Sequence, residues 1–412
     1  MLRRALPFGL LLTVGCGART GLDLSPFDAG PPPDQGFIVD APPTDGRDAS
    51  RAPDVTDAPP ESLVTARGIA LGGTPLGSGD HTCALDDSGR VLCWGYNGYG
   101  EVGDATRVDA IRPVVVPGRA VAIAAGTAHT CALGADGSVS CWGDNHSGQL
   151  GLLPGSLPEV LSPALVVGLA AVTQLALGDQ QSCALTSDRA VTCWGGLPGS
   201  RPAVVPGLRD VVEVVAGGGS GANDHACARR ADGQVYCWGS NHSGELGDGT
   251  TNPSATPVRL TGFGNAAGVA AGAYQTCVWE AAGVPLCCGR NMFGELGDGS
   301  TVDRHRLGEV PGLTGVTAMA MGSAHACALL RDGSVRCWGY NGFGQVGDGS
   351  FMNRPTPFAV RLPRPATRIA CGFYHSCAVL DDGALWCWGD NASGALGDGT
   401  IMNRNEPVAV AW

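Results

Sequence analysis

The sequence predicts an all-β fold: a seven-bladed β-propeller of four-stranded blades, preceded by a signal peptide and a disordered tether. Three observations predict it. A cysteine, nine residues and a second cysteine recur seven times along the 412 residues. Each pair brackets two short apolar runs separated by a Gly-containing turn, which reads as a β-hairpin. Each unit adds an apolar run before the hairpin and a Pro-led run after it, making four strands. A four-stranded unit cannot bury both faces alone, so units must stack, and radial repetition of such units makes a propeller.

Taken in order, residues 1–15 read as a signal peptide: the positive start Met1-Leu-Arg-Arg4, then an apolar run from Ala5 to Val14. The small residues before Cys16 are similar to a bacterial lipoprotein cleavage box, with Thr13 where Leu is usual. Cys16 is therefore the candidate lipidation site. The apolar run is too short for a transmembrane helix. Residues 16–66 are rich in Pro, Asp, Ala and Gly and bury too little apolar surface to fold, so they are expected to form a disordered, extended tether. The propeller is expected over 67–412.

The sixth unit is the cleanest hairpin. His325-Ala-Cys327-Ala-Leu329 leads to a turn at Asp332-Gly333, then Ser334-Val-Arg-Cys337-Trp338-Gly339. The two cysteine numbers sum to twice the number at the turn centre, which places the cysteines directly opposite each other. Gly ends the turn in six units, where a left-handed conformation suits it; Arg189 stands there in the third. Directly opposed residues at a non-hydrogen-bonded site lie about 4.5 Å apart, within disulfide reach. Disulfides are expected to join Cys83 with Cys93, Cys131 with Cys141, Cys183 with Cys193, Cys227 with Cys237, Cys277 with Cys287, Cys327 with Cys337 and Cys377 with Cys387. Each contributes at most about 3 kcal/mol in the chain-entropy picture. The alternative is that cysteine serves here as a small buried apolar residue. There is no Cys-x-x-Cys, so zinc has no support. Cys371 is expected to be a buried free thiol, and Cys288 is placed to compete with Cys287 for Cys277.

These repeats, His-x-Cys-Ala-Leu, x-Asp-Gly-x-Val-x-Cys-Trp-Gly and Asn-x-x-Gly-x-Leu-Gly-Asp-Gly, resemble those of the regulator of chromosome condensation family over about residues 67–412. The resemblance implies a seven-bladed propeller. Its nuclear founder is a guanine-nucleotide exchange factor, whereas a secreted bacterial relative of the same fold purely binds protein, so fold does not settle function. The chain departs from the pattern at Cys288, where Trp is usual, at Trp194-Gly-Gly-Leu-Pro-Gly, which replaces the Asn loop, and at Gly151-Leu-Leu153. No long insertion stands ready to act as an exchange wedge.

There is no lysine, and the net charge is −12. No basic stripe is visible, which argues against nucleic acid. Histidines at 81, 129, 225, 325 and 375 all stand two residues before a cysteine, with Gln181 and Gln275 in the remaining units. Gln is a poor metal ligand, so a structural hydrogen-bonding role is expected and no metal or cofactor. The Asp of each Gly-Asp-Gly loop is expected to bond nearby backbone amides. The Trp residues after the second cysteines are expected to pack between blades. No catalytic motif appears, and no enzyme activity is expected.

In a meander, the connections between strands 1 and 2 and between 3 and 4 share one face. Aromatic and histidine residues in those loops, Tyr96, Tyr99, His146, His242, Phe293, Tyr340, Phe343 and Tyr374, are the candidate partner-binding face. The sequence therefore points to a monomeric, cell-envelope-anchored binding or scaffold propeller, held at the outer membrane or cell surface by its lipid alone, with a protein or glycan partner. The alternatives are an exchange-factor-like regulator and a glycan-cleaving propeller with a loop-built site.

Overall fold

The computed structural model describes residues 65–73, 79–152, 157–196, 200–219 and 224–412. The signal peptide, Cys16 and nearly all of the tether lie outside these residues. Among them run twenty-eight strands in seven four-stranded antiparallel sheets. Blade 1 holds β1 (Ala66–Gly73), β2 (Asp80–Asp86), β3 (Arg90–Gly95) and β4 (Ala110–Arg119). The same meander repeats in blade 2 (122–165), blade 3 (172–204), blade 4 (211–259), blade 5 (266–309), blade 6 (316–359) and blade 7 (366–409). Every sheet is built from consecutive strands, so among the described residues no strand crosses from one chain end to the other to close the ring.

The hairpin register follows from its turn. In blade 6 the Leu330 amide donates to Ser334 O, which makes these two residues a hydrogen-bonded pair. Alternation then puts Cys327 and Cys337 at a non-hydrogen-bonded site, where side chains approach most closely. All seven expected pairs are directly opposed and disulfide-bonded. Cys83 joins Cys93, Cys131 joins Cys141, Cys183 joins Cys193 and Cys227 joins Cys237. Cys277 joins Cys287, Cys327 joins Cys337 and Cys377 joins Cys387. In each pair the Cα atoms lie 4.1 Å apart, somewhat closer than the spacing expected for opposed residues. The alternative of cysteine as a reduced apolar filler therefore falls for these fourteen residues.

Cys288 and Cys371 are free, and Cys288 does not displace Cys287 from Cys277. Cys288 is sealed in the core, but Cys371 is only half-buried, on the wall of the central channel. Burial pushes the Cys371 thiol up to about 12. The expected turn glycines have positive φ, and Arg189 takes the same left-handed conformation at φ 65°.

In blades 1, 2, 4, 6 and 7 the fourth strand begins before its proline rather than at it; in blade 3 it follows Pro202, and in blade 5 it holds no proline. Pro113 and Pro117 lie inside β4, and Pro257 and Pro407 lie inside the fourth strands of blades 4 and 7. These are the outer edges of the blades, where a missing N–H breaks no ladder.

Seven apolar clusters fill the seams between adjacent blades. The first strands line a central cavity of about 540 Å³, whose charged groups, Glu213 and Arg229, pair at 2.7 Å. Glycine is required where each first strand ends. A Cβ on Gly217 would stand 1.9 Å from Gly272 O of the next blade.

The β2–β3 turn and the blade-to-blade link share a face: Ala120 N donates to Gly89 O of that turn. The chain enters here too, where Ala66 N donates to Gly383 O and Thr65 bonds Asp87. The loops joining strands 1–2 and 3–4 form the opposite face. No helix among the described residues is long and apolar enough to cross a membrane. Disulfides persist in oxidising compartments, and seven of them point to one.

Candidate functional site: the loop face

The loops of the second face are pinned from within. Asn341 is fully buried; its Nδ2 donates to Asp348 Oδ1, Ser350 O and Met352 O, and its Oδ1 accepts from Val346 N. Asn97, Asn241, Asn291 and Asn391 repeat the arrangement. The loop Asp serves the turn as expected: Asp348 Oδ1 accepts from Ser350 N, and its Oδ2 pairs with Arg354 at 2.5 Å. A buried Glu or Gln completes the brace. Glu101 accepts from Tyr99 N, Glu295 from Phe293 N and Gln345 from Phe343 N. The aromatic residues are thus carried on a fixed backbone, which lowers the ordering cost of binding.

Two groups of rings result. Phe293 and Tyr340 lie 4.9 Å apart, Tyr340 and Phe343 6.1 Å, and Phe343 and Tyr374 4.8 Å, spanning blades 5 to 7. The Arg290 guanidinium sits 4.1 Å above the Tyr274 ring beside them. In blades 1 and 2, Tyr96, Tyr99 and His146 meet edge to face at 6.4 and 6.3 Å. His242 is exposed on the matching loop of blade 4. Tyr96, Tyr99, Phe293, Tyr340 and Phe343 are half-buried. Tyr374 is 5% exposed, packed against Tyr340 and Phe343 and held by its backbone N–H to Asp80, so it supports the cluster instead of presenting itself.

Sequence reasoning missed the most exposed apolar side chains of this face. They are the tips of the same loops: Val108, Leu157, Met292, Val302, Phe351, Met352, Ile401 and Met402. Met352 and Met402 are 70% and 63% exposed, although their carbonyls are fixed by Asn341 and Asn391. Their signal was in the sequence, as an apolar pair after Gly-Asp-Gly-Ser/Thr in blades 6 and 7 only. Blade 4 has Thr251-Asn252 there.

The histidines do not form a metal site. Each is fully buried and bonds through Nε2 to a hydroxyl of the next blade: His81 to Thr130 (3.1 Å), His129 to Ser182 (2.8 Å), His225 to Thr276 (2.9 Å), His325 to Ser376 (2.9 Å) and His375 to Thr82 (2.7 Å). Trp residues cross the same seams. Trp142 donates to Glu101 O, Trp194 to Gln149 O, Trp338 to Glu295 O, Trp388 to Gln345 O and Trp94 to Ala395 O, all at 2.8 Å. Cys288, in place of Trp, directs its thiol at Glu245 O, 3.8 Å away. Among the described residues no group of His, Cys, Asp and Glu could hold a metal ion. Asp80, His375 and Thr82 line up like an acid–base–nucleophile triad. However, all three are sealed from solvent, and the Thr82 hydroxyl donates to Ala395 O, so no substrate can reach it.

The loop face is thus a braced, partly apolar surface on a seven-bladed propeller stapled by seven disulfides. The chain belongs to the family of the RCC1-like domain, whose profile matches residues 46–364, and regulator of chromosome condensation (RCC1) repeats match 366–395 and 382–412. No curated protein sequence matches it. Among solved structures it is similar to human WBSCR16, at 24% identity and TM-score 0.71 over 78% of this chain and 95% of that one. It is also similar to Prp20p of Saccharomyces cerevisiae, described with its binding to Gsp1p and histones, at 24% identity and TM-score 0.68 over 78% and 85%. The yeast RCC1 (Prp20) structure bound to Kap60 matches at 21% identity and TM-score 0.70 over 89% and 91%. These likenesses carry the fold.

Proposed function

We propose that this chain is a non-catalytic binding propeller, lipid-anchored through Cys16 at the bacterial cell envelope, whose loop face on blades 5, 6, 7 and 1 receives a protein. One observation carries the reading. The apolar tips Phe351, Met352, Ile401 and Met402 and the braced rings Phe293, Tyr340 and Phe343 share the face opposite the point where the chain enters at Thr65. The entry of the chain at Thr65 thus leaves this face unoccupied by the described residues before β1. Exposed apolar side chains on a preorganised backbone suit the desolvated centre of a protein interface. A glycan platform would need open ring faces, and these rings are tilted onto one another. The exchange-factor alternative rests on the family alone.

The test is site-specific photo-crosslinking in intact cells, with a photoreactive phenylalanine at Phe351 and, as control, at Arg331 on the turn face. A discrete protein adduct at Phe351 and none at Arg331 is the expected result. Equal labelling at both positions overturns the assigned face. Fractionation checks the anchor: the full chain should partition with membranes, and Cys16→Ala should release it.

A further inference from the structure

The seams between blades carry a correlation that no single blade shows. Where the residue two before the first cysteine is His, the residue one before the first cysteine of the next blade is Ser or Thr, through all five such seams, including blade 7 to blade 1. Where the first residue is Gln, the facing residue is Ala: Gln181 with Ala226, and Gln275 with Ala326. Within a blade the rule fails, since His225 precedes Ala226 and Gln275 precedes Thr276.

The chemistry explains the coupling. In four of the five seams the hydroxyl donates its proton to a loop carbonyl of the preceding blade: Thr130 to Glu101 O at 3.2 Å, Ser182 to Gln149 O at 2.8 Å, Ser376 to Gln345 O at 3.0 Å and Thr82 to Ala395 O at 2.8 Å. Its lone pair is then free to accept the Nε2 proton of histidine. Facing alanine, that buried N–H would have no acceptor. Glutamine is the answer to alanine because its amide reaches further: Gln275 Nε2 donates to Ser323 O of blade 6, 2.9 Å away. The five histidines and Gln275 thus each find a partner, whereas a histidine facing alanine would strand a buried donor.

We infer that these two positions form a neighbour code, which decides which blade edges can meet among seven closely similar repeats. The code admits two seam classes, His with hydroxyl and Gln with Ala, and penalises His facing Ala. It also acts at the closure, where His375 near the chain end selects Thr82 near its start.

The test is unfolding of the full, oxidised chain in urea, at the seam of blades 4 and 5. Thr276→Ala should lower the folding equilibrium constant about five- to thirty-fold. Adding His225→Gln should return it to within about threefold of the native chain, whereas His225→Ala in the same background should not. Thr276→Ser should be near neutral. Losses that simply add when His225→Gln and Thr276→Ala are combined overturn the code. If Thr276→Ala does not fold, the seam of blades 5 and 6 decides: Gln275→His should destabilise, and Gln275→His with Ala326→Ser should restore. Failure to restore also overturns it.

Discussion

Oδ2 of Asp80 in blade 1 lies 2.7 Å from Nδ1 of His375 in blade 7, and both side chains are sealed from solvent. This contact spans the one seam that the covalent chain does not cross. In His81, His129, His225 and His325 the same ring nitrogen meets no hydrogen-bonding partner among the described residues. The carboxylate also accepts from Tyr374 N at 2.8 Å, and Asp224 takes the matching place at the seam of blades 3 and 4, where it accepts from Asp179 N and Gln180 N.

Replacing Asp80 by alanine leaves Tyr374 N and His375 Nδ1 of blade 7 without their buried partner. The expected loss is about 3 kcal/mol, typical of removing one partner from a buried pair. Urea unfolding with the disulfides intact measures it. An unchanged midpoint would show that packing alone closes the ring.

Glu101 offers a pH test. Burial pushes its carboxyl from 4.5 up to about 8. The unfolded chain releases this proton above 4.5 while the fold retains it, so the contribution is complete below pH 4.5 and is lost as pH rises towards 8. Gln149 and Gln345 occupy the matching positions of blades 2 and 6 and cannot titrate. Glu101→Gln should match the native chain at pH 4.5 and exceed its stability by on the order of 4 kcal/mol at pH 8. Equal stability at both values would refute this.

The histidines act with the opposite sign. Burial lowers His81 and His325 to about 3, and His129 and His225 to about 4; His375 adds to the effect on His81 and His325. The unfolded chain takes up protons below pH 6.5 that the fold refuses, so their contribution is present above 6.5 and is lost as pH falls towards those values. Nitrogen-15 NMR at pH 5 should find all four rings neutral and protonated at Nε2. A titration near 6.5 in any of them would contradict the seam geometry.

Arg189 is a local fault in the third hairpin. Its φ of 65° is the conformation that glycine supplies in the other six turns, and its side chain is exposed. Arg189→Gly should stabilise the chain by about 1 kcal/mol. A lower thermal midpoint would mean that the arginine makes a compensating contact.

Much of this fold was legible because it is local and repeated. The opposed cysteines, the Asp-Gly turns and the buried Trp positions follow from spacing within one hairpin. What lay hidden depends on residues far apart in sequence. Tyr374 reads as a loop aromatic, yet Asp80, 294 positions away, helps to bury it. The pairing of His375 with Thr82 is visible only when each repeat is compared with its successor and the last with the first. The apolar tips after Gly-Asp-Gly were overlooked because glycine and aspartate mark a turn, and a turn gives no reason to weigh its side chains.

The absence of strand exchange among the described residues has a topological consequence. Blade 1 contains only the first strands, blade 7 only the last, and Trp412 packs edge-on to Trp94 at 6.1 Å. Start and finish thus fall between sheets and break none of them. A circular permutant joining residue 412 to residue 65 through a short linker, and opened between blades 2 and 3, would keep every sheet whole and move the point of entry to another sector of the disc.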